Sequence, residues 1–179
     1  MLGEKRIKEA ETNVRAYLEE GLLKKEKNET AKAMYLQNSN MSLWTSEKVL
    51  ALEGGLYPPY LWVIVMSYYS MYYIANAAIL ETGHKVGDKI SHKVAGEALI
   101  VFIREKLKKE LIEEYEAEKE QAMEIISAEA DSLIESFESE RKKRSIFQYR
   151  MDEEAKRNRA LTSLERAKRF SFELKKLIT

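Results

Sequence analysis

Chemistry at neutral pH needs side chains that exchange protons or hold a charged substrate, and this chain of 179 residues offers few. It has two histidines, His84 and His92, and no cysteine. Thiolate nucleophiles, disulfides and cysteine-ligated metals are thereby excluded. The histidines stand eight residues apart with no further ligand at a metal-binding spacing, so neither a metal nor an organic cofactor is expected. No phosphate loop or dinucleotide fingerprint occurs. The densest charge is Arg141-Lys142-Lys143-Arg144, followed by Arg150. Such a cluster attracts phosphate groups. It can equally neutralise a neighbouring acidic helix. Residues 110–140 hold twelve acidic side chains and one basic, Lys119, whereas residues 141–176 hold thirteen basic and five acidic. Over the whole chain 30 basic and 30 acidic residues cancel, so bulk charge points to no partner.

The elements that must position these groups are helical. The stretch at residues 60–83, YLWVIVMSYYSMYYIANAAILETG, lies within a gap of 27 residues that carry no charge, from Gly54 to Leu80, in a chain that is 34% charged. A helix apolar on every side is buried in protein or in lipid. Tyr68, Tyr69, Tyr72 and Tyr73 at mid-span favour protein, because a membrane span keeps tyrosine for its interfaces. Residues 69, 72, 73, 76 and 80 share a face, which puts the tyrosine pairs and Asn76 in one seam. Gly83 supplies the C-terminal stop.

Ahead of this rod, Ile7, Ala10, Val14, Tyr17 and Leu18 mark an amphipathic helix ending near Gly21. Asn28 caps a second helix that continues to Val49 and Leu52, with a bend or loop expected at the polar run QNSNMS. Gly54-Gly55 and Pro58-Pro59 separate it from the central helix. Ser91 is the expected cap of a fourth helix reaching Leu107. Beyond Glu97 there is neither glycine nor proline, and apolar positions from Leu111 to Phe137 keep the helical repeat. A break is expected at RSIFQYRMD, with Asp152 capping a final helix through Phe170 and Leu177. The expected fold is all-α: a single domain spanning 1–179, built as a mostly antiparallel up-and-down bundle of five or six helices. The amino-terminal run MLGEKRIKEAE has no apolar core, and the chain reads as cytoplasmic rather than membrane-bound.

The run SYYSMYYIANAAILETGHKVGDKISHKV resembles the second segment of the HEPN family, whose members read much like AYYAMFYAARALL…G…SHK. The run ERKKRSIFQYRMDEEAKRNRALTSLERAKRFSFELKKLI resembles that family's closing segment. Together the two cover about half the chain in the family's order. In HEPN ribonucleases the catalytic element resembles R-x4-H ahead of the last helix. Here it falls on Arg144, and Tyr149 stands where the histidine would be. A histidine with a pKa near ~6.5 exchanges a proton with an RNA 2′-hydroxyl, whereas a tyrosine near ~10 is a poor base at neutral pH. Arg144 keeps the planar fork that grips phosphate, and Tyr149 keeps a ring that stacks on a base. Alternatively, Arg144 pairs with the acidic helix and Tyr149 is an anchor in the core.

The resemblance therefore implies a non-catalytic or weakly catalytic module that associates with RNA or a nucleotide, of toxin–antitoxin or stress-response type. It implies a homodimer with the two basic turns facing across a shared cleft, and a separate nucleotidyltransferase-family partner. Arg141, Lys142, Lys143 and Arg150 would hold phosphate beside Arg144 and Tyr149. Two alternatives stay open: a metal-independent endoribonuclease in which Arg144 works with His92 as proton carrier, and a purely structural dimer.

Overall fold

The computed structural model describes residues 3–52, 59–138 and 153–178. Among them are six α-helices: α1 (Glu4–Glu19), α2 (Glu29–Leu50), α3 (Tyr60–Glu81), α4 (Ser91–Phe102), α5 (Lys109–Glu138) and α6 (Glu153–Lys175). Two three-residue strands, β1 (Leu23–Lys25) and β2 (His84–Val86), pair antiparallel with Leu23 opposite Val86. The all-α bundle expected from the sequence is the observed fold.

The central rod is α3. Its window of highest hydropathy is 83% buried against the other helices, so its apolarity serves a protein core. Asn76 lies buried beside Tyr72 of the tyrosine seam. Its Nδ2 donates to the carbonyl of Tyr72 one turn back at 2.8 Å, which satisfies a buried amide within its own helix. Gly83 ends the helix at φ +81, and its N–H donates to the carbonyl of Leu80.

The polar run in α2 does not break the helix, which continues from Glu29 to Leu50. Ser39 and Ser46 lie seven residues apart on the face turned to α3. The Ser39 hydroxyl donates to the carbonyl of Ser70, and that of Ser46 to the carbonyl of Val63; Ser46 also meets the Ser67 hydroxyl at 2.8 Å. Small hydroxyl residues let the two helices approach closely while every buried oxygen finds a partner. Asn28 caps α2 as expected, accepting from the Ala31 N–H at 2.8 Å.

Two local expectations change. Ser91 is the first helical residue rather than the cap; Ile90 precedes it in the left-handed region at φ 44. The stretch after Gly83 is half strand, because its backbone pairs with Leu23–Lys25 across the chain. Gly87 sits where a Cβ would stand 3.0 Å from the Leu22 carbonyl oxygen, so a larger residue there would push the backbone beside β1 outward. α4 stops at Phe102, and a 3-10 turn at Arg104–Lys106 leads into α5. The expected separators Gly54, Gly55 and Pro58, the break at RSIFQYRMD and the Asp152 cap lie outside the described residues; Pro59 occupies the N-cap of α3.

Candidate functional site

The tyrosines of α3 converge on His92 at the start of α4. Tyr68 is fully buried and its hydroxyl lies 2.7 Å from His92 Nδ1. The Tyr72 ring lies against the imidazole at 4.3 Å between centroids, and Tyr69 meets it edge-on at 5.7 Å. Behind Tyr68 stands Tyr115 of α5, stacked in turn on Phe170 of α6. Four helices thus meet at one half-buried histidine.

Burial lowers the pKa of His92 below its ordinary value, and the nearby Lys119 ammonium adds to the effect. The imidazole is therefore neutral at pH 7. Burial also pushes Tyr68 well above the usual phenol range, so its hydroxyl keeps its proton. No partner reaches the Tyr115 hydroxyl in hydrogen-bonding geometry among the described residues. Where Tyr68 donates to Nδ1, the imidazole proton sits on Nε2 and His92 presents a donor; where Nδ1–H donates to Tyr68, Nε2 is the basic nitrogen.

Lys119 is the one basic residue of the acidic stretch at 110–140. Its ammonium lies over the α4 backbone, where a Cβ on Gly96 would stand 3.2 Å from Nζ. Sequence reasoning counted Lys119 without using it, although a lone cation among twelve acids was the available signal. The aromatic path extends past His92: Tyr69 and Tyr72 pack on Tyr73, which stacks on Tyr35 of α2.

The acidic face of α5 meets the basic face of α6, as the neutralising reading expected. Glu118 is 1% exposed at its side chain and accepts from Ser163 at 2.5 Å and from Arg166 at 2.8 Å. Glu114 binds Arg169. On the other flank Arg6 of α1 bridges Glu97 and Glu116 at 2.6 and 2.7 Å. Burial of Arg6 works against its charge, but the two carboxylates outweigh it and hold the guanidinium firmly protonated. A groove of about 530 Å³ runs between α5 and α6, with Glu118, Gln121 and Glu124 facing Asn158, Arg159 and Arg166.

The remaining site residues read from the sequence, Arg141, Lys142, Lys143, Arg144, Tyr149 and Arg150, lie outside the described residues. The helices that flank them are described. Ser70 of α3 meets Ser171 of α6, while Tyr60 and Val63 cluster with Ala160 and Leu164, so α3 and α6 run parallel. The level of Tyr68 and His92 corresponds to about Arg169 on α6, sixteen residues and so ~24 Å along the axis from Glu153. The structure brings His92 together with Tyr68, Tyr72 and Lys119, at the middle of the bundle and away from the start of α6.

Among the described residues no group of three or more His, Asp or Glu side chains is placed to hold a metal ion. Comparison with protein-family models, with curated proteins and with solved structures returns no match for this chain. The class that fold and site define is therefore a physical one: an all-α bundle closed around a buried tyrosine–histidine cluster.

Proposed function

We propose that this chain is a HEPN-type bundle that binds RNA or a nucleotide without cleaving it, serving a nucleotidyltransferase-family partner in a toxin–antitoxin or stress-response pair in the cytoplasm. The observation that carries the reading is the contact between the two halves of the resembling motif. Tyr68 of SYYSMYY and His92 of SHK join at 2.7 Å, so these residue types in this order serve one packed junction. The closing segment supports it too, since α6 packs along α3 through Ala160, Leu164 and Ser171.

The non-catalytic side of the reading rests on proton inventory. Tyr149 replaces the motif histidine. His92 is the other candidate carrier, but its Nδ1 is engaged by Tyr68 at the middle of the bundle, ~24 Å along α6 from Glu153. Tyrosine is a poor base near pH 7, and His92 is held away from the start of α6. What remains at Arg144 is a phosphate grip, with Arg141, Lys142, Lys143 and Arg150 as its electrostatic surround. Fluorescence anisotropy with a labelled single-stranded RNA tests this. Binding should weaken at least tenfold in Arg144→Ala, and the affinity of the unaltered protein should fall with added salt. No binding at any salt, or binding untouched by Arg144→Ala, overturns the assignment.

A further inference from the structure

The outer face of α2 is built unlike the outer face of any other helix described in the bundle. The exposed positions of α1 are mostly charged, among them Lys5, Lys8, Glu9, Glu11, Arg15 and Glu19. Between Lys32 and Glu47, α2 carries no charge at all. Its exposed positions include Met34, Gln37, Met41 and Trp44, with Thr30, Lys48 and Ala51 continuing the line. The spacing runs 4, 3, 4, 3, 4, 3, which is the 3.5-residue repeat of a seam between two helices. Met34 and Met41 are each 58% exposed, Trp44 is 60% and the adjacent Leu52 is 66%. Four of the seven large hydrophobics exposed among the described residues therefore lie on this one stripe. It points directly away from the Ser39–Ser46 face that packs on α3, so none of the described helices covers it.

We propose that this stripe is the interface between two copies of the chain, with α2 packed antiparallel on the α2 of its partner. A heptad-spaced seam fits a helix and not a flat surface. An uncharged seam is self-complementary under a two-fold axis, since no like charges meet at its centre. Charge at the ends sets the direction. α2 opens with Glu29 and closes with Lys48. Parallel packing would set Lys48 against its own copy, whereas antiparallel packing with Trp44 over Met34 brings Lys48 beside Glu29. The four large side chains expose on the order of 500 Å² per copy, about 1,000 Å² over the pair, which reaches the lower bound for a specific interface. The expected dimer is therefore a micromolar one.

This inference stands apart from the RNA reading. It also changes the assembly that the resemblance implies. α2 and α6 run antiparallel, with Glu47 beside Lys168 and Asn40 beside Lys175, so an antiparallel α2 pair carries the starts of its two α6 helices at opposite ends rather than facing across one cleft.

Sedimentation of the full chain from 1 to 200 µM tests the proposal. The unaltered protein should pass from monomer to dimer, and Trp44→Glu should stay monomeric over the whole range with an unchanged helical CD spectrum. Met41→Lys provides a second, independent disruption. For direction, the absence of native cysteine makes introduced thiols unique. An equimolar mixture of Gln37→Cys and Met41→Cys chains should form a mixed disulfide, and Met34→Cys alone should not link to itself. A monomer at 200 µM, or a dimer that survives both disruptions, overturns the interface. A self-linked Met34→Cys dimer overturns its antiparallel direction.

Discussion

Two tyrosines that face each other in the core differ in how their hydroxyls are satisfied. Tyr68 hydrogen-bonds His92 Nδ1, whereas the Tyr115 hydroxyl beside it makes no hydrogen bond of good geometry among the described residues. Replacing each by Phe keeps the ring and removes only the oxygen. Tyr68→Phe should cost about 1–2 kcal/mol, because it leaves the imidazole nitrogen without its hydrogen-bond partner. Tyr115→Phe should cost less, between about 0 and 1 kcal/mol, because it removes a desolvated hydroxyl whose approach to Tyr68 falls short of good hydrogen-bonding geometry. Chemical denaturation of the two variants checks the sign of the difference. Sequence spacing already put the tyrosines on the buried rod. It did not tell which hydroxyl would be satisfied, since His92 reaches Tyr68 only because the chain turns back after Gly83, through β2, and packs α4 on α3.

The same histidine makes stability depend on pH. His92 and His84 both have pKa values lowered first by burial; His84 also stacks on Phe102 at 4.1 Å. Unfolded, each titrates near ~6.5 and binds more protons than the folded form just below that pH. The stabilisation from keeping them neutral is complete above about pH 7 and declines as pH falls through 6.5 toward the folded values. Thermal melts between pH 7.5 and 5 should therefore show a falling Tm. His92→Gln should flatten that slope more than His84→Gln, given its deeper burial and the Lys119 charge. Equal slopes in all three proteins would show that neither histidine is linked to folding.

At the scale of the element, α2 shows where pattern reading of a sequence reaches its limit. QNSNMS has poor helix propensity, so a bend or loop was expected, yet the helix runs unbroken for 22 residues. Tertiary packing wins because Ser39 and Ser46 are contact residues, bonded to Ser70, Val63 and Ser67 across the α2–α3 interface. Ser46→Leu should then cost about 2–3 kcal/mol, from overpacking and from the loss of a partner for Ser67. A cost below ~0.5 kcal/mol would mean that the α2–α3 contact has room to spare. The cap at Asn28, the stop at Gly83 and the long repeat of α5 were legible because each depends on local chemistry alone. The β1–β2 pairing was not, since three residues of strand carry no period and their partners lie sixty residues away.

At the scale of the molecule, opposite charge holds the second half of the bundle together. Glu114 and Glu118 of α5 engage Arg166 and Arg169 of α6, so the acidic and basic halves read from the sequence are the two sides of one contact. That contact uses basic residues of the helix and leaves the cluster at Arg141–Arg144 to the ligand in the reading proposed here. The candidate site was legible in part: His92 was named, but its partners Tyr68 and Tyr72 of α3 and Lys119 of α5 come from two separated stretches that only the fold brings to it.

The central claim is that the chain holds RNA intact. The direct measurement is incubation of the unaltered protein with end-labelled single-stranded RNA at pH 7, with chelator present and protein in excess of its dissociation constant. Bound and total RNA are then resolved on native and denaturing gels. The account predicts a shifted band on the native gel and full-length RNA on the denaturing one. Cleavage by the unaltered protein that disappears in Arg144→Ala would contradict it, and would show that Tyr149 or another group carries the proton after all.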